Sequence, residues 1–205
     1  MFFVCSNSQS KKRPLTKSQS CGGFGLVELM VSISIVVIVS AIILTQHSAF
    51  NGAVLLRGQA YEVALESREV QLSAVSVSGD AGNYRTVMGL HFDTLAANSG
   101  HYHIFRDTDL DGFYGGPTEE FGPQAYLDPR FEIRALRAIG DTISGTELSV
   151  VFVRPNFDAR FFDASGNELA ASAVEIDIAR RGLTGTTTDV VRTVEITATG
   201  QIAVQ

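Results

Sequence analysis

Residues 106–115 read RDTDLDGFYG, with acids at alternate positions: Asp107, Asp109 and Asp111, followed by Gly112. This is the spacing of calcium loops. Calcium wants several hard oxygen ligands, alternate acids in a tight loop converge on one point, and glycine permits the sharp turn. In that register the carbonyl of Phe113 supplies the seventh position. The twelfth, where a complete EF-hand carries a bidentate glutamate, is Thr118, and Glu119 and Glu120 follow it. The flanks read as strand with no helix pair. The expectation is therefore an EF-like calcium loop rather than an EF-hand, with Asp107, Asp109, Asp111, Phe113, Glu119 and Glu120 as candidate ligands. A solvated acidic turn has the same composition, since Asp and Gly are frequent turn formers.

Two other groups carry chemistry on paper. His101 and His103 alternate on a probable strand segment and share a face; zinc would want one or two more ligands from elsewhere. Without them the pair reads as surface or partly packed histidines. Arg180 and Arg181 precede Gly182 in the loop RRGLTGTTTD. Such a basic loop is a candidate nucleic-acid contact, or a solvated pair matched to nearby acids. Nothing separates the environments of Asp107 and Asp109 into acid and base. G-x-S-x-G, P-loop and H-E-x-x-H patterns are absent from the sequence, so the reading is of a non-enzyme.

Charge and cysteine usage narrow the class. Residues 1–23 carry Lys11, Lys12, Arg13 and Lys17 and no acid, while residues 24–205 carry no lysine and are strongly acidic. An acidic body argues against nonspecific nucleic-acid binding through bulk charge. Both cysteines, Cys5 and Cys21, lie within the first 23 residues, so the body has no disulfide framework and must rest on its apolar core.

The elements that position these groups begin with an apolar run. Residues 24–44, FGLVELMVSISIVVIVSAIIL, contain one charged group, Glu28. About 20 apolar residues in a helix cross a ~30 Å hydrocarbon core. A secretory signal peptide has a shorter apolar region ending in small residues, whereas this one continues past Ala41 into Ile42, Ile43 and Leu44. The preceding basic residues favour a cytoplasmic N-terminus and an extracytoplasmic body. A carboxylate at position 28 is costly in lipid, by roughly 2.5–3.5 kcal/mol at a helix centre and less near the interface.

A basic leader, Gly22-Gly23, then Phe24, Leu26, Val27, Glu28 and Leu29 before a long apolar helix resembles the N-terminal signal of type IV pilins and type II secretion pseudopilins. The resemblance implies cleavage between Gly23 and Phe24 by a prepilin peptidase, N-methylation of Phe24, and an assembly role for Glu28, whose carboxylate would pair with the N-terminal amine of a neighbouring subunit. It further implies other pilin or pseudopilin subunits, an inner-membrane assembly platform and, before assembly, membrane lipid as partners. Gly25 departs from the threonine or serine more frequent there; it loosens the first helical turn.

Beyond the membrane-length run, residues 53–75 read AVLLRGQAYEVALESREVQLSAV. Val54, Tyr61, Leu65, Leu72 and Val75 fall on one stripe, interrupted by Arg68, and Val63 and Val70 lie opposite. A helix touching its own head on one side and neighbours on the other has this pattern, as does a core helix. Asn51-Gly52 is a candidate kink, and residues 78–83 a helix stop. Strands are expected at 84–92, 101–105, 131–139, 148–153, 173–180, 189–197 and 201–205, with turns at 163–167 and at Thr199-Gly200. The domain reading is a cleaved leader 1–23, a membrane or filament-core helix 24–47, its amphipathic extension 48–77, and a β-rich head 78–205. The fold class is α+β: a long N-terminal helix packed on an antiparallel sheet. The closing VEITATGQIAV resembles the strand–turn–strand of H-type pseudopilin and minor pilin heads. The function expected is that of a minor pilin or pseudopilin, with a single-pass anchored binding module that does not polymerise as the alternative.

Overall fold

The structure, a computed structural model, describes residues 25–76 and 87–205. The leader, Gly23, Phe24 and the expected stop at 78–83 lie outside the described residues. The chain divides into two compact units, Met1–Leu44 and Thr45–Gln205.

Helix α1 runs Leu26–Val75. Its first stretch, Leu26–Leu44, has a mean hydropathy of 2.7, and none of its window is buried. Nineteen residues at 1.5 Å per residue cover about 28 Å, the thickness of a hydrocarbon core. Isoleucine and valine dominate here although they are mediocre helix formers in water. In lipid the backbone must satisfy its own hydrogen bonds, so helix is the available solution. The hydroxyls follow the same rule: Ser32 Oγ donates to the Glu28 carbonyl at 2.8 Å and Ser34 Oγ to the Met30 carbonyl at 2.9 Å.

Among the described residues, the second unit contains the rest of α1 and nine strands. Strands β1 (Val87–Asp93), β2 (His101–Asp107), β3 (Ala125–Tyr126), β5 (Glu147–Phe152) and β6 (Ala159–Asp163) form a five-stranded sheet in the order β3-β2-β1-β5-β6. Strands β4 (Phe131–Ile139), β7 (Ala173–Arg180), β8 (Val191–Thr197) and β9 (Ile202–Val204) form a four-stranded sheet in that order. Every pairing between named strands is antiparallel. The single sheet expected from sequence is thus two, and β3 and β6 are additions.

Both sheets and the helix share one core. Leu56, Ala60, Val63, Val70 and Ala74 of α1 are buried with Leu90, Phe92, Val150, Phe161, Ile176, Ile178 and Ile196. The three-and-four spacing of these helical residues puts them on one face. This is the face of Val63 and Val70; Val54, Tyr61, Leu65 and Leu72 of the other stripe are exposed by 49–71%. The phase is fixed by polar groups that only the head can satisfy. Gln71, fully buried, donates from Nε2 to the carbonyls of Phe157 and Gly200, each at 2.8 Å. Gln59 Oε1 accepts from Asp128 N at 3.0 Å, and Tyr102 Oη donates to Glu66 Oε2. At the helix end Arg154 Nε donates to the Ala74 carbonyl at 2.6 Å and its Nη2 to the Ser76 carbonyl, supplying donors to carbonyls of the final turn. Asn51-Gly52 does not interrupt the helix.

Candidate functional sites

The central strands β1 and β5 are buried on both faces. Their inner face meets the helix core. Their outer face lies under the segment 108–124, and alternation along β1 puts Leu90 and Phe92 inside and His91 and Asp93 outside. The register then assembles a polar patch. His91 stands opposite His103 on β2 and opposite Ser149 on β5, and Asp93 stands opposite Glu147. His101 shares the outer face with His103. Three strands therefore contribute three imidazoles, two carboxylates and a hydroxyl to one face, around a cavity of about 230 Å³.

Within it His91 Nδ1 lies 3.0 Å from Ser149 Oγ, which also accepts from Tyr114 N at 3.3 Å. His103 Nδ1 lies 3.2 Å from Glu120 Oε1, and its Nε2 is 3.3 Å from Gln124 Nε2. Tyr114 stacks on His103 at 4.7 Å between ring centroids, and Phe113 meets His91 edge-on at 5.2 Å. Burial holds the His91 imidazole down to about 4, with His103 acting in the same direction and Asp93 against it. Burial and His103 also lower His101. Both are uncharged at neutral pH.

The acidic loop is built beside this patch. Asp107, buried at the end of β2, accepts from Leu110 N at 2.6 Å through Oδ1 and from Gly112 N at 3.0 Å through Oδ2. Glu119, also buried, accepts from Thr108 N at 2.9 Å and from Gly115 N at 2.8 Å. Gly112 has φ of +83°, and a Cβ there would lie 2.2 Å from the Phe162 ring. Both the backbone angle and the contact therefore require glycine. Asp107, Asp109 and Glu119 each offer an oxygen within 4.8 Å of the others. Burial raises the Asp107 carboxyl, the Gly112 and Leu110 amides pull it down, and Glu119 and Asp111 raise it.

The six candidate ligands thus separate. Asp107, Asp109 and Glu119 come together. Asp111 is exposed and accepts from Phe113 N at 2.8 Å, and Glu120 turns to His103. Arg180 lies against the helix, where a Cβ on Gly52 would meet its Cζ at 2.5 Å, and Arg181 Nε is 3.5 Å from Glu132 Oε2. Glu28 sits exposed in the first turn of α1. The patch residues His91, Asp93, Glu147 and Ser149 were not singled out by spacing. A symmetric β1–β2 hairpin would have placed His91 against His103, but the β1–β5 pairing joins residues 58 apart and has no local signature.

Comparison with known proteins bears on the other end of the chain. Residues 18–44 match the prokaryotic N-terminal methylation motif. No curated protein and no solved structure matches the chain. The matched segment covers the apolar stretch Leu26–Leu44. The chain therefore carries a type IV pilin-like processing signal joined to a helix long and apolar enough to anchor it in a membrane.

Proposed function

We propose that the protein is a minor pilin or pseudopilin, cut between Gly23 and Phe24, N-methylated at Phe24, and assembled through α1 into a type IV pilus or a type II secretion-like filament. The observation that carries this reading is the methylation motif over residues 18–44, which covers a helical stretch, Leu26–Leu44, whose apolar side chains are all exposed. A bare apolar helix of this length needs lipid before assembly and other helices after it. Support also comes from the extension of α1, which buries one face in the head and leaves Val54, Tyr61, Leu65 and Leu72 uncovered. Glu28, the one charge in the apolar run, is the group that the N-terminal amine of a neighbouring Phe24 would neutralise.

In this reading the 107–120 loop is stiffened by calcium. Asp107, Asp109 and Glu119 fit as a partial ligand set, because each carboxylate oxygen that accepts an amide keeps a second lone pair. Calcium would raise the melting temperature of the wild type and leave an Asp109→Asn variant unmoved; equal response of both rejects this part.

The function itself is tested by Gly23→Val in cells that supply a prepilin peptidase. Loss of processing and of the chain from sheared filaments is the expected result. Unchanged size and membrane behaviour would instead favour an anchored, non-polymerising binding module.

A further inference from the structure

We propose that the outer face of the five-stranded sheet holds one divalent transition-metal ion of the zinc class, with His91, His101 and His103 as nitrogen donors and Asp93 or Glu147 completing the set. The proposal rests neither on filament assembly nor on calcium in the acidic loop.

The donor chemistry points to that class. The cavity is lined by three imidazoles and two carboxylates, with no arginine or lysine among its walls. With neutral imidazoles its formal charge is −2, which suits a divalent cation and repels an anion. Imidazole favours zinc, copper, nickel or iron over calcium or magnesium. Among the described residues no three donor atoms of this patch lie within 4.8 Å of one another, but two of the ring spacings are close to what an ion needs. Two imidazoles on one zinc ion, with Zn–N near ~2.1 Å in tetrahedral geometry, put their ring centroids about 5–6 Å apart. The His101–His103 centroids are 5.2 Å apart and the His91–His103 centroids 6.2 Å. Closing on an ion then needs rotation of side chains, not movement of strands.

The surrounding groups orient the rings for this. His103 Nδ1–H donates to the Glu120 carboxylate, the arrangement that fixes the tautomer of metal-bound histidines and raises their basicity. The lone pair of Nε2 faces the Gln124 amide, which an ion would displace. With His91 Nδ1–H donated to Ser149 Oγ, His91 Nε2 is likewise left with its lone pair. Tyr114 and Phe113 pack on these rings and limit water access on one side. Glu120 is thus a positioning residue here rather than a calcium ligand.

The test uses the full chain in detergent, stripped with a chelator, with cobalt(II) as the probe and visible absorption as the readout. The expected result is one cobalt per chain, displaced by zinc and not by calcium. His101→Gln should weaken binding at least tenfold, and His101→Gln combined with His103→Gln should abolish it. Both residues are only partly buried, so the head should retain its thermal transition, which is measured alongside. Asp109→Asn with Asp111→Asn should leave cobalt binding unchanged. Glu120→Gln should weaken it about tenfold, as expected for an outer-shell partner. Absence of cobalt and zinc binding at millimolar metal by the folded wild type would overturn the proposal. So would binding that survives the double histidine substitution.

Discussion

Between Leu26 and Leu44, α1 is apolar on every side and none of it is covered; between Leu56 and Ala74 it is apolar on one face that the head buries, with charges and a few apolar side chains on the other. One continuous helix therefore answers to two solvents. In the first stretch the hydrogen-bond demand of a backbone in lipid enforces helix regardless of propensity. In the second, helix rests on an inward stripe and on polar side chains, Gln59 and Gln71, whose partners lie in the head. Composition alone reads the first. Reading the second requires knowing which apolar face meets the sheets.

Equivalent substitutions should break differently in the two stretches. Val63→Asp buries an unpaired carboxylate at a site 1% exposed and should cost several kcal/mol, enough to abolish the head's cooperative melting. Val36→Asp should leave that melting unchanged and instead penalise membrane insertion by about 2.5–3.5 kcal/mol, seen as chain lost from the membrane fraction. Equal effects of the two on melting would contradict the contrast. At the next level, Leu56→Ala should destabilise the head by about 2–5 kcal/mol in urea unfolding, through lost burial and a cavity.

Acid should weaken the head through His91. His91 is held at about 4 in the fold, against about 6.5 unfolded. Above 6.5 both states are neutral and stability is at its full value. As pH falls from 6.5 to 4 the unfolded chain takes up a proton that the fold refuses, and about 3 kcal/mol is lost. Below 4 the loss levels off. His101 and His103 on β2, Asp93 on β1 and Glu147 on β5 face the same cavity, and His101 is lowered as His91 is, so the profile is compared with that of His91→Gln in chelator. Removal of most of this slope is expected; an unchanged slope would assign it elsewhere. The smallest stability effect belongs to the uncovered stripe. Leu65→Ala with Leu72→Ala should change urea stability by under about 0.5 kcal/mol per site, yet lower incorporation into filaments.

Much of the head was legible because its strands alternate locally. The segments 131–139 and 173–180 coincide with β4 and β7, and the turn at 163–167 is closed by Asp163 Oδ1 accepting from Ser165 N and Asn167 N, each at 3.0 Å. Strand β6, ARFFD, was missed because its burial pattern follows its pairing with β5 and not an alternation in its own five residues. The division into two sheets depends on non-consecutive pairings such as β1 with β5 and β4 with β7, which leave no periodic trace. The phase of α1 was ambiguous for a related reason. Leu65 and Leu72 are larger than Ala60 and Ala74, so size pointed outward, whereas the head buries the face of Leu56, Ala60, Val63, Val70 and Ala74. In the outer patch, His101 and His103 were visible as a pair; His91 joins them through the neighbouring β1–β2 pairing, and Glu147 and Ser149 only through the long-range β1–β5 register.

The most direct test of the central claim is the intact mass and N-terminal sequence of the chain extracted from membranes of cells that supply a prepilin peptidase. A mature chain beginning at Phe24, heavier by one methyl group, is the predicted result. A chain beginning at Met1, or cut beyond Leu44, would contradict the account.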